Sequence, residues 1–409
     1  MIRMPYRIAY LATHPIQYQA PLLRELAQCG ELDLQVFYLS DFSLHEHYER
    51  AFRKSFKWDS ELTAGYRWEV LPRTLLGRST PRRPWLPLRR LAHRLRAGAF
   101  DALWVHGWAH IGLCQAIHSA AAQGIPVLFR GESALWEDDP NDLRQRARSA
   151  FYRQWLLPRL AALLYIGQRN RQFYLHHGAA VEKLFAMPYA VDNDYFHQRA
   201  AAATPERERL RSKLNLESGR TVVLFAGKLV AHKGADELLA AAAILNRQGS
   251  AKPYYLFAGD GPELASLRAA AAPLGDAVRF LGFQNQSALP ALYDLCDVFV
   301  MPSRFEPWGL VVNEAMNAAK PIIASDRVGA AADLVHHGAN GFVYPSGNAE
   351  KLAEALAQLN DAPPLRQQMG QASRSRIDSW NFSAVRQGLL AALAAVCGER
   401  RSGASAVAG

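Results

Sequence analysis

Two lysines lie in a loop between a predicted strand and a predicted helix. Lys228 follows the strand at 221–226, and Lys233 precedes a helix that begins after Gly234. Open α/β sheets bind ligands outside the carboxyl ends of their strands, and a helix N-terminus attracts anions. Two ammonium groups at such a place suit a diphosphate. Solvated lysines would give the same pattern, so this loop alone is a weak predictor of a phosphate site.

A glycine-rich turn follows the next predicted strand, at 254–258. The turn is Gly259-Asp260-Gly261-Pro262, and it opens another helix. Such a turn has a structural role of its own, because glycine and proline favour tight turns. In a binding site, its two glycines would let a ligand approach the backbone closely.

Two glutamates, Glu306 and Glu314, are separated by seven residues. The turn Pro307-Trp308-Gly309 between them places the first in a loop and the second in the following helix. The start of that helix offers unpaired backbone N–H groups near Gly309 and Leu310. Carboxylates accept hydrogen bonds from hydroxyl groups, so the segment predicts a site for a sugar or a ribose. A solvated acid followed by a dipole-stabilised helix acid is the alternative.

Parallel sheets are the elements that must position these residues. Short β-branched or aromatic runs alternate with longer helical patterns along the 409 residues, which is typical of βαβ units. Two consecutive series of this kind predict an α/β protein with two doubly wound domains. The predicted strands lie at 6–13, 34–39, 102–106, 126–130, 163–166, 184–188, 221–226, 254–258, 278–281, 298–302, 321–325 and 341–344.

Taken in this order, the segments resemble the retaining glycosyltransferases of the GT-B fold, in the large group 1 or family 4 type. The resemblance is strong over about 185–395 and weak in the first half. It implies two Rossmann-like domains facing a central cleft, and transfer of a hexosyl group from a nucleoside-diphosphate sugar with retention of configuration. The similar motifs are G-[RK]-x-x-x-x-K-G at Gly227 to Gly234, G-x-G-P at Gly259 to Pro262, and E-x7-E at Glu306 to Glu314.

The resemblance also implies roles for individual residues. Lys228 and Lys233 would bind the donor diphosphate, Glu306 would hold sugar hydroxyls, and Glu314 would hold the ribose. The loop at 281–285 would lie near the base. The implied catalytic residues are Glu306, Lys233, Lys228 and His106, and the implied donor-binding residues are Gly227, Lys228, Lys233, Gly259, Gly261, Phe283, Glu306, Gly309, Leu310 and Glu314.

The first half of the chain departs from the family pattern. Its first strand ends in Thr13-His14-Pro15-Ile16-Gln17 instead of a glycine-rich loop, which resembles a subgroup of bacterial surface-polysaccharide transferases. Arg130-Gly131-Glu132-Ser133 stands where family members often have a histidine, and His106 is the expected partial replacement. The predicted acceptor-side residues are His14, Gln17, His106, Arg130 and Glu132.

The domain division predicted from these patterns has four parts. An alanine-rich, charged linker at 192–220 is counted with the second domain, and the small, polar end of the chain predicts disorder. The parts are an acceptor domain at 1–191, a donor domain at 192–380, a helix at 381–397 that packs back on the first domain, and a tail at 398–409.

We expect no metal and no cofactor. Asp192-Asn193-Asp194 looks like a metal-binding D-x-D motif, but the family has a similar V-D at this point, so we interpret it as structural. The four cysteines are far apart, which argues against a zinc site or a disulfide framework. The expected partners are a nucleotide-sugar donor and a saccharide or lipid-linked acceptor, in cell-surface polysaccharide biosynthesis. The alternatives are a GT-B-fold nucleotide-sugar epimerase and a non-catalytic nucleotide-sugar-binding subunit.

The positive charge is concentrated in one segment. The net charge is +10, and residues 67–96 hold nine arginines against the single acid Glu69. This pattern predicts either a solvated helix packed on its own domain or contact with an anionic membrane; no nucleic-acid motif accompanies it. With no apolar run long enough to span a bilayer and no signal peptide, we expect a cytoplasmic protein, at the inner face of the membrane if the helix binds lipid. The predicted helix places Leu88, Leu91, Ala92 and Leu95 on one stripe, Arg89, Arg90, Arg94 and Arg96 off it, and Trp85 just before it.

Overall fold

The computed structural model describes residues 4–49, 54–71, 88–136, 143–248 and 253–398, with the backbone alone at 88–90 and 144. The chain forms two compact units. The first contains Met1–His45, Glu61–Pro188 and Phe382–Gly409, and the second contains Glu46–Ser60 and Tyr189–Asn381. Trp85 and the predicted tail beyond Gly398 lie outside the described residues.

The strands of the first half form a seven-stranded parallel sheet and a separate hairpin. The sheet order is β5-β2-β1-β6-β7-β8-β9, and the hairpin pairs β3 with β4 in antiparallel fashion. The strands are β1 (Tyr6–Ala12), β2 (Leu32–Tyr38), β3 (His47–Glu49), β4 (Lys54–Phe56), β5 (Arg67–Val70), β6 (Ala102–His106), β7 (Val127–Arg130), β8 (Ala162–Tyr165) and β9 (Leu184–Ala186).

The strands of the second half form a six-stranded parallel sheet in the order β12-β11-β10-β13-β14-β15. In both sheets the first strand has its successors on one side and later strands on the other, which is the doubly wound arrangement. The strands are β10 (Val222–Ala226), β11 (Tyr254–Ala258), β12 (Val278–Gly282), β13 (Val298–Met301), β14 (Ile322–Ser325) and β15 (Gly341–Tyr344).

Helices connect the strands, as parallel strands require. Helices α1 to α5 and α15 belong to the first unit, and α6 to α14 belong to the second. They are α1 (Ala20–Gln28), α2 (Leu88–Ala97), α3 (Ile111–Ala122), α4 (Leu143–Ala150), α5 (Gln168–His176), α6 (Asn193–Ala203), α7 (Arg207–Lys213), α8 (Ala235–Arg247), α9 (Leu264–Ala271), α10 (Leu289–Leu295), α11 (Leu310–Asn317), α12 (Gly329–Leu334), α13 (Ala349–Asn360), α14 (Pro363–Ile377) and α15 (Phe382–Cys397).

Each sheet lies at the centre of its own apolar core. All five residues of β10 and all five of β11 are buried, as expected for parallel strands covered on both faces. In the first unit, Leu11 of β1 and Val105 of β6 pack in one core with Leu91 and Leu95 of α2. Leu91 and Leu95, two members of the predicted apolar stripe, are therefore buried within the first unit.

The predicted fold class is confirmed, and all twelve predicted strands are present with end shifts of at most two residues. The prediction omitted β3, β4 and β5, which have three or four residues each. The predicted linker at 192–220 is folded into α6 and α7. Asp192 caps α6, because its side chain accepts a hydrogen bond from the N–H of Tyr195 at 2.9 Å.

Contacts between residues distant in sequence join 46–60 to the second unit. The sequence division places 46–60 in the first domain, whereas this segment is grouped with the second unit. The reason is a set of side-chain contacts that sequence spacing cannot reveal. Phe56 packs on Phe283 with ring centroids 4.4 Å apart, and the amide group of Asn285 donates to the carbonyl oxygen of Lys57 at 2.9 Å.

Candidate functional site

The predicted donor residues of the second unit gather where the strand order reverses. β10 and β13 are neighbours in the sheet, although two other strands separate them in the chain. The crevice outside the carboxyl ends of such a strand pair is the usual ligand site of a doubly wound sheet. Lys228 and Lys233 follow β10, and Glu306 follows β13. The topology therefore accounts for residues over seventy positions apart sharing one site.

Lys233 and Glu306 form an ion pair between Nζ and Oε2. Their side chains are only 20% and 13% exposed, so this pair is shielded more than a surface salt bridge. Lys233 ends a short 3-10 helix, Ala231–Lys233, and Gly234 follows it in the left-handed conformation at φ 69°. A Cβ atom on Gly234 would lie 2.0 Å from the carbonyl oxygen of Pro302, so only glycine fits. The lysine loop and the Glu306 loop are thus packed backbone to backbone.

Arg304 joins the same two loops. Its backbone N–H donates to the carbonyl oxygen of His232 at 2.8 Å, and its guanidinium donates to both carboxylate oxygens of Asp236 at 2.8 and 2.7 Å. Paired N–H donors on one carboxylate give a geometrically specific contact. Arg304 therefore holds the Lys233 turn and the first turn of α8 in place. The sequence analysis did not single out this arginine.

His232 precedes Lys233 in the same loop and has a lowered pKa. Burial lowers the pKa of its imidazole below the usual 6.5, and the nearby Lys233 ammonium lowers it further. A neutral imidazole can donate one hydrogen bond, and it carries no charge that would attract the Glu306 carboxylate away from Lys233. Lys228 and Lys233 therefore supply positive charge at the site, and Arg304 is paired with Asp236.

Lys228 has a carboxylate partner from a distant part of the sequence. Its Nζ atom lies 3.9 Å from Oε1 of Glu49, at the end of β3. Both side chains are about one-third to two-fifths exposed, so water screens this pair more than the Lys233 pair. Nothing in the local sequence around Glu49 indicates this contact.

The glycine-rich turn after β11 has a packing role that the geometry explains. A Cβ atom on Gly259 would lie 1.8 Å from the carbonyl oxygen of Gly227, and one on Gly261 would lie 2.4 Å from that of Leu229. The backbone N–H of Leu229 donates to the carbonyl oxygen of Asp260 at 2.9 Å. The two glycines therefore bring the β11 turn directly against the loop that carries Lys228.

The loop after β13 is fixed by backbone hydrogen bonds. The N–H of Glu306 donates to the carbonyl oxygen of Arg327 at 3.0 Å, and the carbonyl oxygen of Glu306 accepts from Gly329 at 2.9 Å. Gly309 precedes α11 in the left-handed conformation, at φ 97°. A Cβ atom on Gly309 would lie 3.3 Å from Cγ of Glu306, so the glutamate side chain lies beside the start of α11. The first-turn N–H groups, from Leu310 onward, add a partial positive charge there.

Glu314 is buried inside α11 and has an unusual pKa. Its carboxylate accepts a hydrogen bond from the hydroxyl group of Tyr293 at 2.6 Å. Burial raises the pKa of Glu314 from 4.5 to about 7, and the Tyr293 hydrogen bond partly opposes this rise. A carboxyl group that titrates near neutrality is typical of functional sites, although structural networks also produce such shifts. The sequence analysis predicted Glu314 and missed Tyr293. A tyrosine in a mainly apolar helix is usually a core residue, so its type and position gave no signal.

The loop that follows β12 lies under the β3–β4 hairpin. Phe283 contacts Phe56 of β4, and the ammonium group of Lys54 lies 5.8 Å from its ring centre. The predicted base-binding residue thus has aromatic and cationic neighbours from the first half of the sequence.

The predicted acceptor-side residues lie at the carboxyl ends of three neighbouring strands of the first unit. His106 ends β6, and its Nε2 atom is 3.3 Å from Oε1 of Glu132, just after β7. The hydroxyl group of Tyr18 donates to the same carboxylate oxygen at 3.2 Å. His14, after β1, contacts the side chain of Thr13 at 2.8 Å. The sequence analysis missed Tyr18, which lies one residue beyond the predicted Gln17.

The structure gives the other two predicted acceptor-side residues different surroundings. Arg130, the last residue of β7, is completely buried, and its guanidinium donates to the carbonyl oxygens of Met187 at 3.5 Å and Pro188 at 3.4 Å. Gln17 is half-buried in the turn before α1. Arg130 is thus placed to support the strand end, away from solvent.

Within the described part of the chain, no group of three or more His, Cys, Asp or Glu side chains could hold a metal ion. Every helix in the described ranges falls short of the length and apolar character needed to cross a bilayer.

Two parallel doubly wound sheets, one of them with a lysine–glutamate pair at its switch point, define an α/β protein of Rossmann type. A family model described as "Glycosyl transferases group 1" matches residues 206–376. This match covers less than half of the 409 residues, and the fold is the GT-B fold.

Among curated relatives, alpha-D-kanosaminyltransferase of Streptomyces kanamyceticus is 28% identical over 255 residues, 61% of this chain and 64% of its own length. The 2-deoxystreptamine glucosyltransferase of the same organism is 33% identical over 214 residues, 51% of this chain and 54% of its own. The chain thus spans between about half and two-thirds of the length of these relatives.

Solved structures resemble the whole chain. A glycosyltransferase from Rickettsia africae ESF-5 superposes with a TM-score of 0.74 at 15% identity, covering 96% of this chain and 98% of its own. Anabaena HepE in complex with UDP superposes with a TM-score of 0.71 at 17% identity, covering 96% and 100%. At these identities the likeness establishes the fold.

Proposed function

We propose that this protein is a glycosyltransferase that moves a hexosyl group from a nucleoside-diphosphate sugar to a saccharide or lipid-linked acceptor, with retention of configuration. The Lys233–Glu306 pair at the switch point, beside the start of α11, is the observation that carries the proposal. A glycosyl phosphate presents sugar hydroxyls and phosphate oxygens within a few ångströms of each other. A cation and a carboxylate in contact match that junction.

The donor residues have distinct proposed roles. Lys233 and Lys228 bind the diphosphate, together with the first N–H groups of α11. Glu306 accepts hydrogen bonds from sugar hydroxyls, and Glu314 accepts them from the ribose. Phe283 lies beside the base. The UDP bound by the structurally similar HepE supports a nucleoside diphosphate as the ligand class.

The proposed reaction needs no protein nucleophile. The bond between the anomeric carbon and the β-phosphate oxygen breaks, and its electron pair goes to that oxygen. The acceptor hydroxyl attacks the same face of the sugar, and its proton goes to the departing phosphate. Lys228, Lys233 and the α11 N-terminus stabilise the charge that develops on the phosphate. The ion pair with Lys233 holds the Glu306 carboxylate in place, so Glu306 can orient the sugar.

The acceptor is proposed to bind the first unit. Glu132 lies within hydrogen-bonding reach of both His106 and Tyr18, so the three side chains offer donors and acceptors to sugar hydroxyls. His106 would orient the acceptor. Because Arg130 is buried, we assign it a supporting role instead of direct acceptor contact.

We also propose a place for the reaction, in cell-surface polysaccharide synthesis at the cytoplasmic face of the membrane. Leu91 and Leu95 of α2 are buried in the first unit, whereas Arg94 and Arg96 of the same helix are exposed. Arg96 is exposed, and Arg94 pairs with Glu69 at the surface. Such a face would attract an anionic bilayer and bring the enzyme to a lipid-linked acceptor.

A donor and acceptor screen tests the proposal. Purified protein is incubated with UDP- and GDP-sugars and with saccharide or polyprenyl-linked acceptors, and the anomeric configuration of the product is determined by NMR. An α-linked donor should give an α-linked product. A β-linked product would contradict retention. Conversion of the donor without acceptor would support an epimerase, and donor binding without turnover would support a non-catalytic subunit.

A further inference from the structure

A short segment from the first half of the sequence touches both ends of the proposed donor site. We name residues 47–49 and 54–59 the strap; they include β3 and β4 and belong to the second unit. At one end, Glu49 pairs with Lys228. At the other end, Phe56 packs on Phe283.

The pairing of the two strands explains why one hairpin makes both contacts. His47 is paired with Phe56, and Glu49 with Lys54. Cross-strand partners and residues two apart on one strand share a face of the hairpin, so all four side chains lie on the same side. Tyr48 lies on the opposite face and is 60% exposed. The strap therefore directs one complete face toward the donor loops.

The base end of the strap is the better anchored end. Phe56 is buried and also packs edge-on against Trp58 at 4.9 Å between ring centroids. The backbone N–H of Ser287 donates to the carboxylate of Asp59 at 3.2 Å, and Asn285 donates to the carbonyl oxygen of Lys57. The Glu49–Lys228 contact is a partly exposed ion pair at 3.9 Å. We expect the Glu49–Lys228 contact to break before the Phe56–Phe283 contact, because exposed ion pairs contribute little stability.

We propose that the strap regulates donor affinity, because Glu49 competes with the donor diphosphate for Lys228. This inference rests on the proposed function of the same site. A carboxylate beside the ammonium group both occupies the cation and repels an incoming phosphate. Glu306 keeps a role toward the sugar once the donor is bound, whereas Glu49 has none and must move aside. The same competition hastens release of the nucleoside diphosphate after transfer.

The test is a double-mutant cycle read by isothermal calorimetry. Wild type, Glu49→Gln, Lys228→Gln and the double variant are titrated with UDP, GDP and ADP. Glu49→Gln should bind the preferred nucleotide about three- to tenfold more tightly, because the competing charge is gone. In the Lys228→Gln background, Glu49→Gln should change the affinity by less than about twofold. Glu46→Gln, an exposed glutamate three residues earlier, is the matched control.

Each outcome decides between the two proposals. If wild type binds nucleotide and the Glu49→Gln and Glu46→Gln variants have equal nucleotide affinity, the proposed regulation by the strap is wrong and the proposed function stands. An equal gain in the Lys228→Gln background would also overturn the proposed regulation, since the effect would then be a general one of net charge. Absence of binding by folded wild type for all three nucleotides would overturn the proposed function together with the strap.

Discussion

If Glu314 binds the donor as proposed, its pKa of about 7 predicts a pH dependence of donor affinity. If the ribose hydroxyls donate to the ionised carboxylate, donor affinity follows the ionised fraction. That fraction rises from about 10% at pH 6 to about 90% at pH 8, so affinity should increase about ninefold across this range. Glu314→Gln should remove the dependence.

A nucleotide sugar is the right probe for this measurement. Both ends of its diphosphate are esterified, so its own charge stays constant over this pH range, unlike that of a free nucleoside diphosphate. The donor affinity of wild type, Glu314→Gln and Tyr293→Phe is measured by calorimetry at several pH values. The Tyr293 hydroxyl group lowers the pKa of Glu314, so Tyr293→Phe should move the midpoint to higher pH.

Two controls make the interpretation firm. The pKa of His232 is lowered below its usual 6.5. Protonation of His232 would strengthen diphosphate binding as the pH falls, whereas ionisation of Glu314 strengthens donor binding as the pH rises. The raised pKa of Glu314 also favours the folded state fully below about pH 4.5, and this contribution is lost as the pH rises through about 7. Glu314→Gln should therefore gain stability relative to wild type at pH 8 and not at pH 4. A flat affinity profile in wild type, or an equal slope in Glu314→Gln, would refute the reasoning.

Three further predictions concern catalysis, metals and the membrane. Glu306→Gln should keep the fold, because backbone hydrogen bonds anchor its loop, and should lose about 2–4 kcal/mol of transition-state stabilisation; failure to fold, seen by circular dichroism, would make the carboxylate structural. Activity should survive excess chelator, since lysines and a helix N-terminus supply the positive field; loss on chelation and rescue by Mg²⁺ or Mn²⁺ would reopen Asp192 and Asp194 as ligands. The protein should sediment with anionic liposomes and be released at high salt. Each basic residue at the bilayer surface should contribute about 1 kcal/mol of binding free energy. Unchanged sedimentation after replacing Arg89, Arg90, Arg94 and Arg96 with Gln would contradict the membrane proposal.

Strand positions were predictable because parallel strands in this protein are nearly continuous apolar runs. β10 and β11 show this most clearly, since every residue in them is buried. The short β3, β4 and β5 lack such runs, and their residues are largely exposed or half-buried. Their formation depends on tertiary partners that local patterns do not encode.

Site residues that lie in sequence motifs could be predicted, whereas contacts between distant parts of the sequence could not. The motif spacing indicated Lys228, Lys233 and Glu306, and doubly wound topology explains their proximity. The Glu49–Lys228 pair joins residues from separate halves of the sequence, and no spacing rule connects them. The neutral-range pKa of Glu314 arises from burial, which likewise follows from the assembled fold.

Binding of a donor by the Lys233→Ala variant tests the central claim most directly. Wild type, Lys233→Ala and the control Lys213→Ala, an exposed lysine at the end of α7, are titrated with a panel of nucleotide sugars. Removing a shielded cation from a bound diphosphate should cost about 2–4 kcal/mol, which is roughly 30- to 900-fold in affinity. Lys213→Ala should bind like wild type. Tight donor binding by wild type that Lys233→Ala leaves unchanged would contradict the placement of the donor site between β10 and β13.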